Sequence, residues 1–384
     1  MKVPTALQLT CPPLHKVRIG LIGLGQRGMK TLERYAYIAN AEITYLADVF
    51  PDKLAEANRK LAETGRACAR CACGENGWAE VCKAKDLDLV YICTEWRSHT
   101  PIAVFAMQEG KHVAIEVPAA TTVEECWQLV HTAEATRRHC FMTENCCYDL
   151  FAQQTQKIVQ NGELGTLQHL EGAYIHQLDK PGNTNERHEW MVRACAQHGG
   201  NPYPTHAIGP IAQLLKLHRE DWLDSLVSMT SRTATGEASE SRQNCTLLRT
   251  RNGVTILLEL DVTTPRPYSR LQTVCGSKGF VQKYPLPTLQ IGETCYIGEE
   301  ATQRMKAYGT SQAAHFWRKG HEMGVPNEMN YAMDARLTKC LCEGWPLDID
   351  VYDAAEWSCI AELSRQSAIH GGMPVAVPDF LHGE

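Results

Sequence analysis

The feature that most limits the folds open to this chain is a glycine-rich turn between an apolar run and a helix pattern. Residues 16–22 (KVRIGLI) predict a strand, and the GLGQRG motif at 23–28 follows it and opens a helix predicted over 28–40. In such a turn the first glycine makes the tight bend, the second lets the backbone approach a pyrophosphate, and the third lets helix and strand pack closely. The motif alone is weak evidence, because glycine turns also occur in α/β domains that bind no nucleotide.

A carboxylate strengthens the dinucleotide interpretation. Residues 42–47 (EITYLA) predict the second strand, and Asp48 follows it, 20 residues beyond Gly28 (48 − 28). A carboxylate at this place hydrogen-bonds the ribose hydroxyls and repels a 2′-phosphate. The sequence therefore predicts NAD, rather than NADP, as the cofactor.

Strand and helix patterns alternate through residues 1–145, which we predict to be a Rossmann domain with a doubly wound parallel sheet. Further strands are predicted at 87–93, 111–116 and 139–143. Helices are predicted after Pro51, from Thr100 or Pro101 to Glu109, and from Thr121 or Thr122 through Ala133, the last with a capping box at Glu124 or Glu125. A cysteine-rich loop is predicted at 66–76.

The pattern changes after residue 145, and we predict that 146–384 form an α+β domain with an open, mostly antiparallel sheet. Successive strands are predicted at 166–176, 225–231, 243–251, 253–262, 270–275 and 279–283, and helices at 148–161 and 351–370. An Asn-Gly pair at 252–253 predicts a hairpin turn. The polar segment 178–202 is too long for a plain connection, so it is predicted to be an active-site loop.

Composition excludes several classes of protein. The 384 residues predict about two domains, and the net charge of −6 argues against a nucleic-acid or membrane-surface partner.

The 17 cysteines suit reduced thiols rather than a disulfide scaffold. Cys68, Cys71 and Cys73 form a cluster that is either a set of ordinary loop thiols or a metal or redox site; overall, we predict no metal. No export signal or membrane span is visible, so we expect a cytoplasmic location, or a periplasmic one if a signal has been removed.

Several segments carry a closer resemblance. These are RSHTPIAVFAMQEGKHVAIEVPAA (97–120), TENCCY (143–148), GAYIH (172–176), NPYPTHAIGP (201–210) and DVYDAAEWSCI (350–360). With the Rossmann pattern, they resemble the NAD-dependent α-N-acetylgalactosaminidase family, a glycosidase branch of the Gfo/Idh/MocA oxidoreductase superfamily. The resemblance runs from about residue 16 to about residue 378 and implies a Rossmann domain followed by an α+β domain.

The resemblance implies a redox-neutral hydrolysis of glycan or small-molecule substrates. Tightly held NAD takes a hydride from carbon 3 of the sugar, a base removes the acidified hydrogen at carbon 2, and the aglycone leaves by elimination. Water then adds and the hydride returns. This differs from the carboxylate pair of most glycosidases. The open sheet of the superfamily further implies a homo-oligomer.

Site residues follow by matching motifs. On the cofactor side they are Gly23, Gly25, Gln26, Arg27, Gly28, Asp48, Thr94, Trp96, Arg97, Ser98, His99, Glu116, Val117 and Asn145. On the substrate side they are Tyr174, Arg193, Tyr203, Pro204, Thr205, His206 and Tyr284. Tyr174 is the candidate carbon-2 base, His206 the candidate for proton transfer at the carbon-3 hydroxyl or the leaving group, and Glu144 a candidate helper. His176, His188 and His198 flank the polar segment and are assigned no role.

Two other functions stay open at the sequence level. One is a sugar or cyclitol dehydrogenase that releases NADH, and the other is a binding protein without catalysis. Dehydrogenases of the superfamily carry a catalytic lysine in a Glu-Lys-Pro motif, where this chain has Glu116-Val117-Pro118. Valine cannot transfer a proton, which disfavours the dehydrogenase. Tyr174 needs a nearby cation or hydrogen-bond donor to act as a base, because the phenol pKa is ordinarily about 10.

Overall fold

Six parallel strands form the first sheet, in the order β3-β2-β1-β4-β5-β6. The structure is a computed structural model that describes residues 4–180, 182, 185–231 and 243–383. The strands are β1 (Val17–Ile22), β2 (Ala41–Asp48), β3 (Arg70–Cys73), β4 (Leu89–Ile92), β5 (His112–Ile115) and β6 (Cys140–Met142). β4 and β5 are buried along their whole length, as expected for strands covered by helices on both faces.

Five helices connect these strands. They are α1 (Gln26–Tyr35), α2 (Pro51–Glu63), α3 (Gly77–Lys83), α4 (Trp96–Gln108) and α5 (Val123–Thr136). Pro51 occupies the first position of α2, where its missing N–H costs no hydrogen bond. The predicted capping box at the start of α5 is confirmed: Thr122 caps the helix, and the Glu125 side chain bonds back to the N-cap backbone.

Three predicted boundaries in this part of the chain are wrong. α1 begins at Gln26 and ends at Tyr35, short of the predicted residue 40. α4 begins at Trp96 rather than at residue 100 or 101, because Glu95 accepts a hydrogen bond from the Arg97 N–H and caps the helix. The cysteine-rich segment is not all loop, since its middle residues, 70–73, form β3 beside β2.

The second sheet has nine strands in the order β14-β13-β12-β11-β7-β10-β9-β8-β15. They are β7 (Leu167–Ile175), β8 (Leu223–Thr230), β9 (Gln243–Thr250), β10 (Thr255–Asp261), β11 (Ser269–Gly276), β12 (Gly279–Gln282), β13 (Thr288–Ile291), β14 (Thr294–Ile297) and β15 (Val375–Ala376). β10 runs parallel to β7 and every other pairing is antiparallel. The predicted turn at 252–253 connects β9 to β10, with Gly253 at φ +88°.

The remaining helices complete the fold. They are a 3₁₀ helix (Asn145–Tyr148), α6 (Leu150–Gln160), α7 (Glu186–His198), α8 (Thr205–Leu215), α9 (Glu299–Lys306), α10 (Gln312–Glu322), α11 (Glu328–Glu343) and α12 (Val351–Ile369). α8 lies against β7 so closely that a Cβ on Gly172 would stand 2.4 Å from the Ala207 carbonyl oxygen. Among the described residues, no helix combines the length and apolar character that a bilayer span requires.

The predicted active-site loop at 178–202 is corrected by the structure. Most of its second half is α7, which Asn185 caps by accepting a hydrogen bond from the His188 N–H. Gly199 ends the helix in the left-handed conformation at φ +74°. The polar composition of the segment concealed these two helix signals. Residues 181, 183 and 184 of this prediction lie outside the described residues.

The chain forms two compact units, and each unit consists of two separate segments of the sequence. Unit 1 is Met1–Glu144 with His315–Ala355, and unit 2 is Asn145–Ala314 with Glu356–Glu384. The second domain predicted from the sequence, by contrast, includes all of 146–384. The return of the chain to unit 1 has a physical cause in a buried ion pair: Arg34 Nε on α1 lies 2.9 Å from Asp334 Oδ2 on α11. Tyr91 donates a hydrogen bond to the other oxygen of Asp334 at 3.1 Å.

Candidate functional site

The glycine turn after β1 has the geometry that the motif predicts. Gly23 is at φ +87°, and a Cβ there would stand 2.8 Å from the Cys93 backbone. A Cβ on Gly28 would stand 1.9 Å from the Gly23 carbonyl oxygen. Around Gly25, by contrast, a Cβ would meet nothing within 4 Å. Gly23 and Gly28 thus make the close backbone contacts of the turn, while Gly25, the second glycine of the motif, has open space beside it.

That open space lies at the start of α1. Gly25 is the N-cap and offers no side chain to the first N–H groups of the helix, and Gln26 is exposed. Uncapped N–H groups and the positive end of the helix dipole favour an anion. The arrangement fits a pyrophosphate.

Asp48 lies at the end of β2 and is held by the same turn. Its Oδ2 accepts a hydrogen bond from the Leu24 N–H at 2.6 Å, and its Oδ1 accepts one from the Phe50 N–H at 2.9 Å. A carboxylate has about four lone-pair sites. Asp48 therefore keeps acceptor capacity for ribose hydroxyls while its orientation is set by the backbone. The residues present fit NAD.

The predicted cofactor-side residues that follow β4 differ in exposure, and one of them is buried and structural. Trp96 and Ser98 are partly exposed and Arg97 is exposed, while Ser98 Oγ donates to Thr94 Oγ1 at 2.7 Å. His99 is buried, with Nδ1 2.8 Å from the Pro118 oxygen and Nε2 3.1 Å from the Thr94 oxygen. Burial lowers the pKa of His99, and the two backbone oxygens oppose that effect. His99 thus joins the loops that follow β4 and β5.

Glu116 and Val117 follow β5 and differ in chemistry. The Arg27 guanidinium donates to Glu116 Oε1 at 2.7 Å, which brings a predicted phosphate-side residue to the end of β5. Val117 is 4% exposed. Val117 therefore places a buried apolar side chain at the position where a lysine would have supplied proton transfer.

In unit 2, five side chains form an aromatic cluster, which we call the tyrosine–histidine cluster: Tyr174, His176, Tyr203, His206 and Tyr268. The Tyr174 ring centroid lies 5.0 Å from that of Tyr203 and 5.7 Å from that of His206. The rings of Tyr203 and His206 meet edge to face at 4.7 Å. Tyr174 and His206, the two predicted proton-transfer residues of unit 2, are therefore neighbours.

The start of α8 contributes a second set of predicted residues. Pro204 is the N-cap and gives no side-chain hydrogen bond to the helix. Thr205 is fully buried, and its Oγ1 has no hydrogen-bond partner among the described residues. Tyr203 is held by Asn201, whose Oδ1 accepts from the Tyr203 N–H at 3.1 Å. The Thr205 hydroxyl therefore keeps hydrogen-bonding capacity at the uncapped start of α8.

Sequence reasoning missed three residues at this site: His176 and Tyr268 of the cluster, and Arg270 beside it. The Arg270 guanidinium carbon lies 4.6 Å from the Tyr174 ring centroid, and Arg270 Nε donates to the Tyr268 hydroxyl at 2.6 Å. His176 Nδ1 lies 3.3 Å from the Tyr174 hydroxyl. His176 had been assigned no role. The sequence carries a signal for His176, because a histidine two residues after Tyr174 shares its strand face, but no local pattern marks Arg270 at the start of β11.

Electrostatics around Tyr174 act in both directions. Burial raises the pKa of Tyr174 above its ordinary value and outweighs the nearby Arg270 and Arg187, which favour its ionised form. Burial, followed by Arg270, lowers the pKa of His176 to about 4. His176 is therefore neutral at physiological pH.

The other predicted residues lie at varied distances from this cluster. The Tyr284 ring is 6.0 Å from that of Tyr268, and Lys283 lies over Tyr284 at 5.4 Å. Arg193 is exposed on α7, and no hydrogen bond or ring contact joins it to the cluster within the described part of the chain. Glu144 is fully buried after β6 in unit 1, and Asn145 is 8% exposed at the start of the 3₁₀ helix.

The cysteines of the 68–73 segment lie on the surface. Cys68, Cys71 and Cys73 are exposed, and the last two point from the edge strand β3. The Asn58 amide donates to Cys71 Sγ at 3.1 Å. The position of Cys71 and Cys73 on an edge strand corrects the prediction that the whole 66–76 segment is a loop.

Comparison with family models divides the chain in two. Residues 17–144 match the model described as oxidoreductase family, NAD-binding Rossmann fold. Residues 152–244 and 240–384 match the model described as glycosyl hydrolase 109, C-terminal domain. Unit 1 thus contains an NAD-binding Rossmann domain.

Two relatives match over essentially their whole length. "Glycosyl hydrolase family 109 protein 2" of Phocaeicola vulgatus is 48% identical over 408 residues, covering 100% of this chain and 99% of the relative. A protein of Bacteroides fragilis named alpha-N-acetylgalactosaminidase is 46% identical over 411 residues, covering 100% and 97%.

Solved structures show the same fold at low identity. An NAD-binding oxidoreductase from Klebsiella pneumoniae superposes with a TM-score of 0.75 at 17% identity, covering 95% of this chain and 100% of that one. A levoglucosan dehydrogenase in complex with NADH and L-sorbose gives 0.74 at 17%, with the same coverage. The predicted combination of a Rossmann sheet and a mostly antiparallel sheet is confirmed.

Proposed function

The chain belongs to glycosyl hydrolase family 109, and from this premise we propose that it hydrolyses α-linked N-acetylgalactosaminides by an oxidation–elimination–hydration–reduction cycle with no net change in NAD. The family and the Rossmann domain make it an NAD-dependent glycosidase. The sugar specificity is supported by the relative from Bacteroides fragilis that carries the name alpha-N-acetylgalactosaminidase.

The observation that carries the proposed chemistry is the contact between Tyr174 and His206 in the tyrosine–histidine cluster. When bound, NAD supplies a reversible hydride acceptor. The side chains must then supply two proton transfers, one at the carbon-3 hydroxyl and one at carbon 2. A hydroxyl-bearing ring beside an imidazole provides two groups of different basicity within one site.

We assign proton transfer at the carbon-3 hydroxyl to His206. Imidazole is the side chain whose protonation changes near neutral pH, so it can accept the hydroxyl proton and later return it. His206 occupies the second position of α8, where the helix packs against β7. This packing fixes the ring next to Tyr174.

We assign removal of the carbon-2 proton to Tyr174. The hydrogen next to a carbonyl is acidic because its removal gives an enolate, and the developing negative charge requires a donor. The N–H groups at the start of α8 and the Thr205 hydroxyl supply such donors. Tyr203, held by Asn201, forms an aromatic side of the same cluster.

Val117 favours this function over net sugar oxidation. It stands at the position where dehydrogenases of the superfamily carry a lysine, and an apolar side chain there leaves proton transfer to unit 2. A dehydrogenase that relied on that lysine would lack its proton-transfer group here.

A chromogenic α-N-acetylgalactosaminide tests the proposal. We expect free phenol to be released over many turnovers with no net rise in NADH absorbance. A stoichiometric rise in NADH absorbance without phenol would instead identify a dehydrogenase. A panel of other glycosides, assayed with and without added NAD, tests the choice of sugar.

A further inference from the structure

Arg270 is placed beside Tyr174 by an irregular strand. The pairing of β11 with β7 shifts register between Ser269 and Leu271 and again between Leu271 and Thr273. Leu271 and Gln272 are in the left-handed conformation at φ +55° and φ +54°. Non-glycine residues adopt this conformation at an energetic cost and are concentrated at functional sites. Bulges next to active sites commonly redirect a side chain, and the side chain at this bulge is Arg270.

The guanidinium of Arg270 has bonding capacity left. Its Nε donates to the Tyr268 hydroxyl, while its buried Nη1 has no hydrogen-bond partner among the described residues. The group lies over the face of the Tyr174 ring at 4.6 Å. A cation in this position is attracted to the ring and is attracted more strongly when the ring carries a negative charge.

His176 meets the same tyrosine at its oxygen. Its low pKa keeps the imidazole neutral, and a neutral imidazole has one N–H. With that hydrogen on Nδ1, His176 donates to the Tyr174 oxygen across the 3.3 Å contact. A hydrogen bond donated to a charged oxygen is stronger than one donated to a neutral oxygen.

We propose that Arg270 and His176 form a phenolate cradle, in which the cation over the ring and the N–H at the oxygen stabilise the ionised form of Tyr174 and make it a base. The inference rests on the proposed function, which supplies the proton to be removed. That proton moves from carbon 2 of the oxidised sugar to the Tyr174 oxygen, and the electron pair of the C–H bond stays on the sugar. Arg270 and His176 are positioning residues, and Tyr174 is the residue that touches the substrate.

The charged and titratable groups around the cradle come from several elements. Those that face Tyr174 are Arg187, Cys195, Tyr203, His206, Tyr268 and Arg270. Those that face His176 are Lys180, Arg187, His188, Tyr268 and Arg270. Every ionised group that acts on His176 in this set is a cation, so none of them favours its protonation. His176 acts through its N–H and does not store the proton.

The first experiment measures the ionisation of Tyr174 without catalysis. The near-ultraviolet absorbance of tyrosinate is titrated in the NAD-bound protein, and the Tyr174→Phe variant is subtracted to isolate Tyr174. The same subtraction is made in an Arg270→Met background. We expect Tyr174 to ionise at a higher pH when Arg270 is replaced by methionine. Ionisation at an unchanged pH would overturn the cradle.

Two variants control for the loss of a cation. Arg249→Met removes a charge from β9 of the same sheet, where Arg249 pairs with Asp224, and we expect the Tyr174 titration to stay at the wild-type pH. Arg270→Lys keeps the charge if the methionine variant does not fold, and we expect a smaller displacement than full loss of charge would give. A displacement in Arg249→Met as large as that in Arg270→Met would contradict a local effect.

The second experiment follows kcat/KM against pH with the chromogenic glycoside. Loss of the cradle moves the acidic limb to higher pH and lowers kcat/KM at neutral pH by at least about tenfold. His176→Leu should do this, while His176→Asn should restore much of the wild-type profile, because its amide N–H can replace Nδ1–H. Equal profiles for the two His176 variants would exclude the hydrogen bond.

The two experiments separate this inference from the proposed function. If the protein released no sugar from any glycoside, the proposed function would fail, and the tyrosinate titration would still decide whether the cradle exists. If the glycoside were hydrolysed and the Tyr174 titration did not depend on Arg270, the cradle would fail while the proposed function stood.

Discussion

At the scale of single residues, the proposed chemistry depends on Tyr174, whose surroundings have opposite effects on its ionisation. Burial disfavours the ionised phenol of Tyr174, and Arg270 favours it. The sequence analysis identified Tyr174 by its motif and also identified the need for a nearby cation. It did not identify Arg270, which lies 96 positions further along the chain (270 − 174). The β11 bulge that brings it there has no glycine to mark it.

Tyr174→Phe tests the assigned base. The substitution keeps the ring contacts with Tyr203 and His206 and removes the hydroxyl. We expect kcat to fall by about 10² to 10⁴, the usual contribution of a general base, while NAD affinity stays within about twofold of wild type. Steady-state kinetics and NAD titration measure the two quantities. Tyr296→Phe on β14 is the matched control and should keep full activity; retained activity in Tyr174→Phe would refute the assignment.

The glycine turn allows the binding of NAD to be separated from the stability of the fold. Gly25→Ala places a methyl group in open space at the start of α1, so we expect the melting temperature of the NAD-free protein to be unchanged. NAD affinity should fall at least about tenfold, equivalent to about 1.4 kcal/mol.

Gly28→Ala gives the opposite pattern. Its Cβ would overlap the Gly23 carbonyl oxygen, and overpacking of this kind costs about 1 to 3 kcal/mol. Denaturant unfolding of the NAD-free variant should show this loss. Equal stability for the two variants would contradict the distinct roles given to the two glycines.

At the scale of elements, alternation of hydrophobic runs was the most informative signal. β4 and β5 are buried along their whole length and consist of mainly apolar residues, and β9 alternates buried and less buried residues along its length. Both patterns follow from how each sheet is covered, and the sequence predicted most strands of both sheets within a few residues. It did not predict the short strands β3, β13, β14 and β15. Helix α7 was missed because its polar residues concealed the Asn185 cap and the Gly199 stop.

These local patterns do not predict which strands pair when the strands are distant in sequence. The parallel pairing of β10 with β7 joins segments that are distant in sequence, and the local hairpin signal at 252–253 predicted only the pairing of β9 with β10. In the same way, no pattern in α11 indicates that Asp334 pairs with Arg34. Burial of that pair requires both partners, because an unpaired buried charge is strongly destabilising.

Strand β5 and the residue before β6 carry a pH-sensitive pair of buried histidines. The rings of His112 and His139 are 5.0 Å apart, and the His139 N–H donates to His112 Nδ1 at 3.1 Å. Burial lowers the pKa of His112 to about 3 and that of His139 to about 4, and Arg138 acts in the same direction. Asp88 opposes the effect on His112.

Because both folded-state pKa values lie below the unfolded value of about 6.5, the unfolded chain binds more protons in acid. We therefore expect the stabilisation to be present above about pH 6.5 and to be lost as the pH falls towards 4, by about 3 kcal/mol for His139 alone. Urea unfolding across this range measures the loss. His112→Asn keeps an acceptor for the His139 N–H and should give a shallower dependence, whereas the exposed His131→Asn should not. Identical slopes for wild type and His112→Asn would rule out this pair as a source.

At the scale of the whole molecule, a family of glycosidases uses the fold of dehydrogenases. The Rossmann unit is an NAD-binding domain, and the imidazole and the tyrosine to which we assign proton transfer belong to the second unit. The fold class, cofactor and family could be predicted from sequence because motifs carry them. The Arg270 cation beside Tyr174 could not, because its position depends on strand register and on a bulge.

The most direct test of the central claim follows the hydrogen at carbon 2. The α-N-acetylgalactosaminide is hydrolysed in heavy water, and the released sugar is analysed by NMR and mass spectrometry. An elimination route exchanges the carbon-2 hydrogen with solvent, so the product should carry deuterium at carbon 2 while NADH shows no net increase. Product that is released at the full rate with its original hydrogen at carbon 2 would contradict the account.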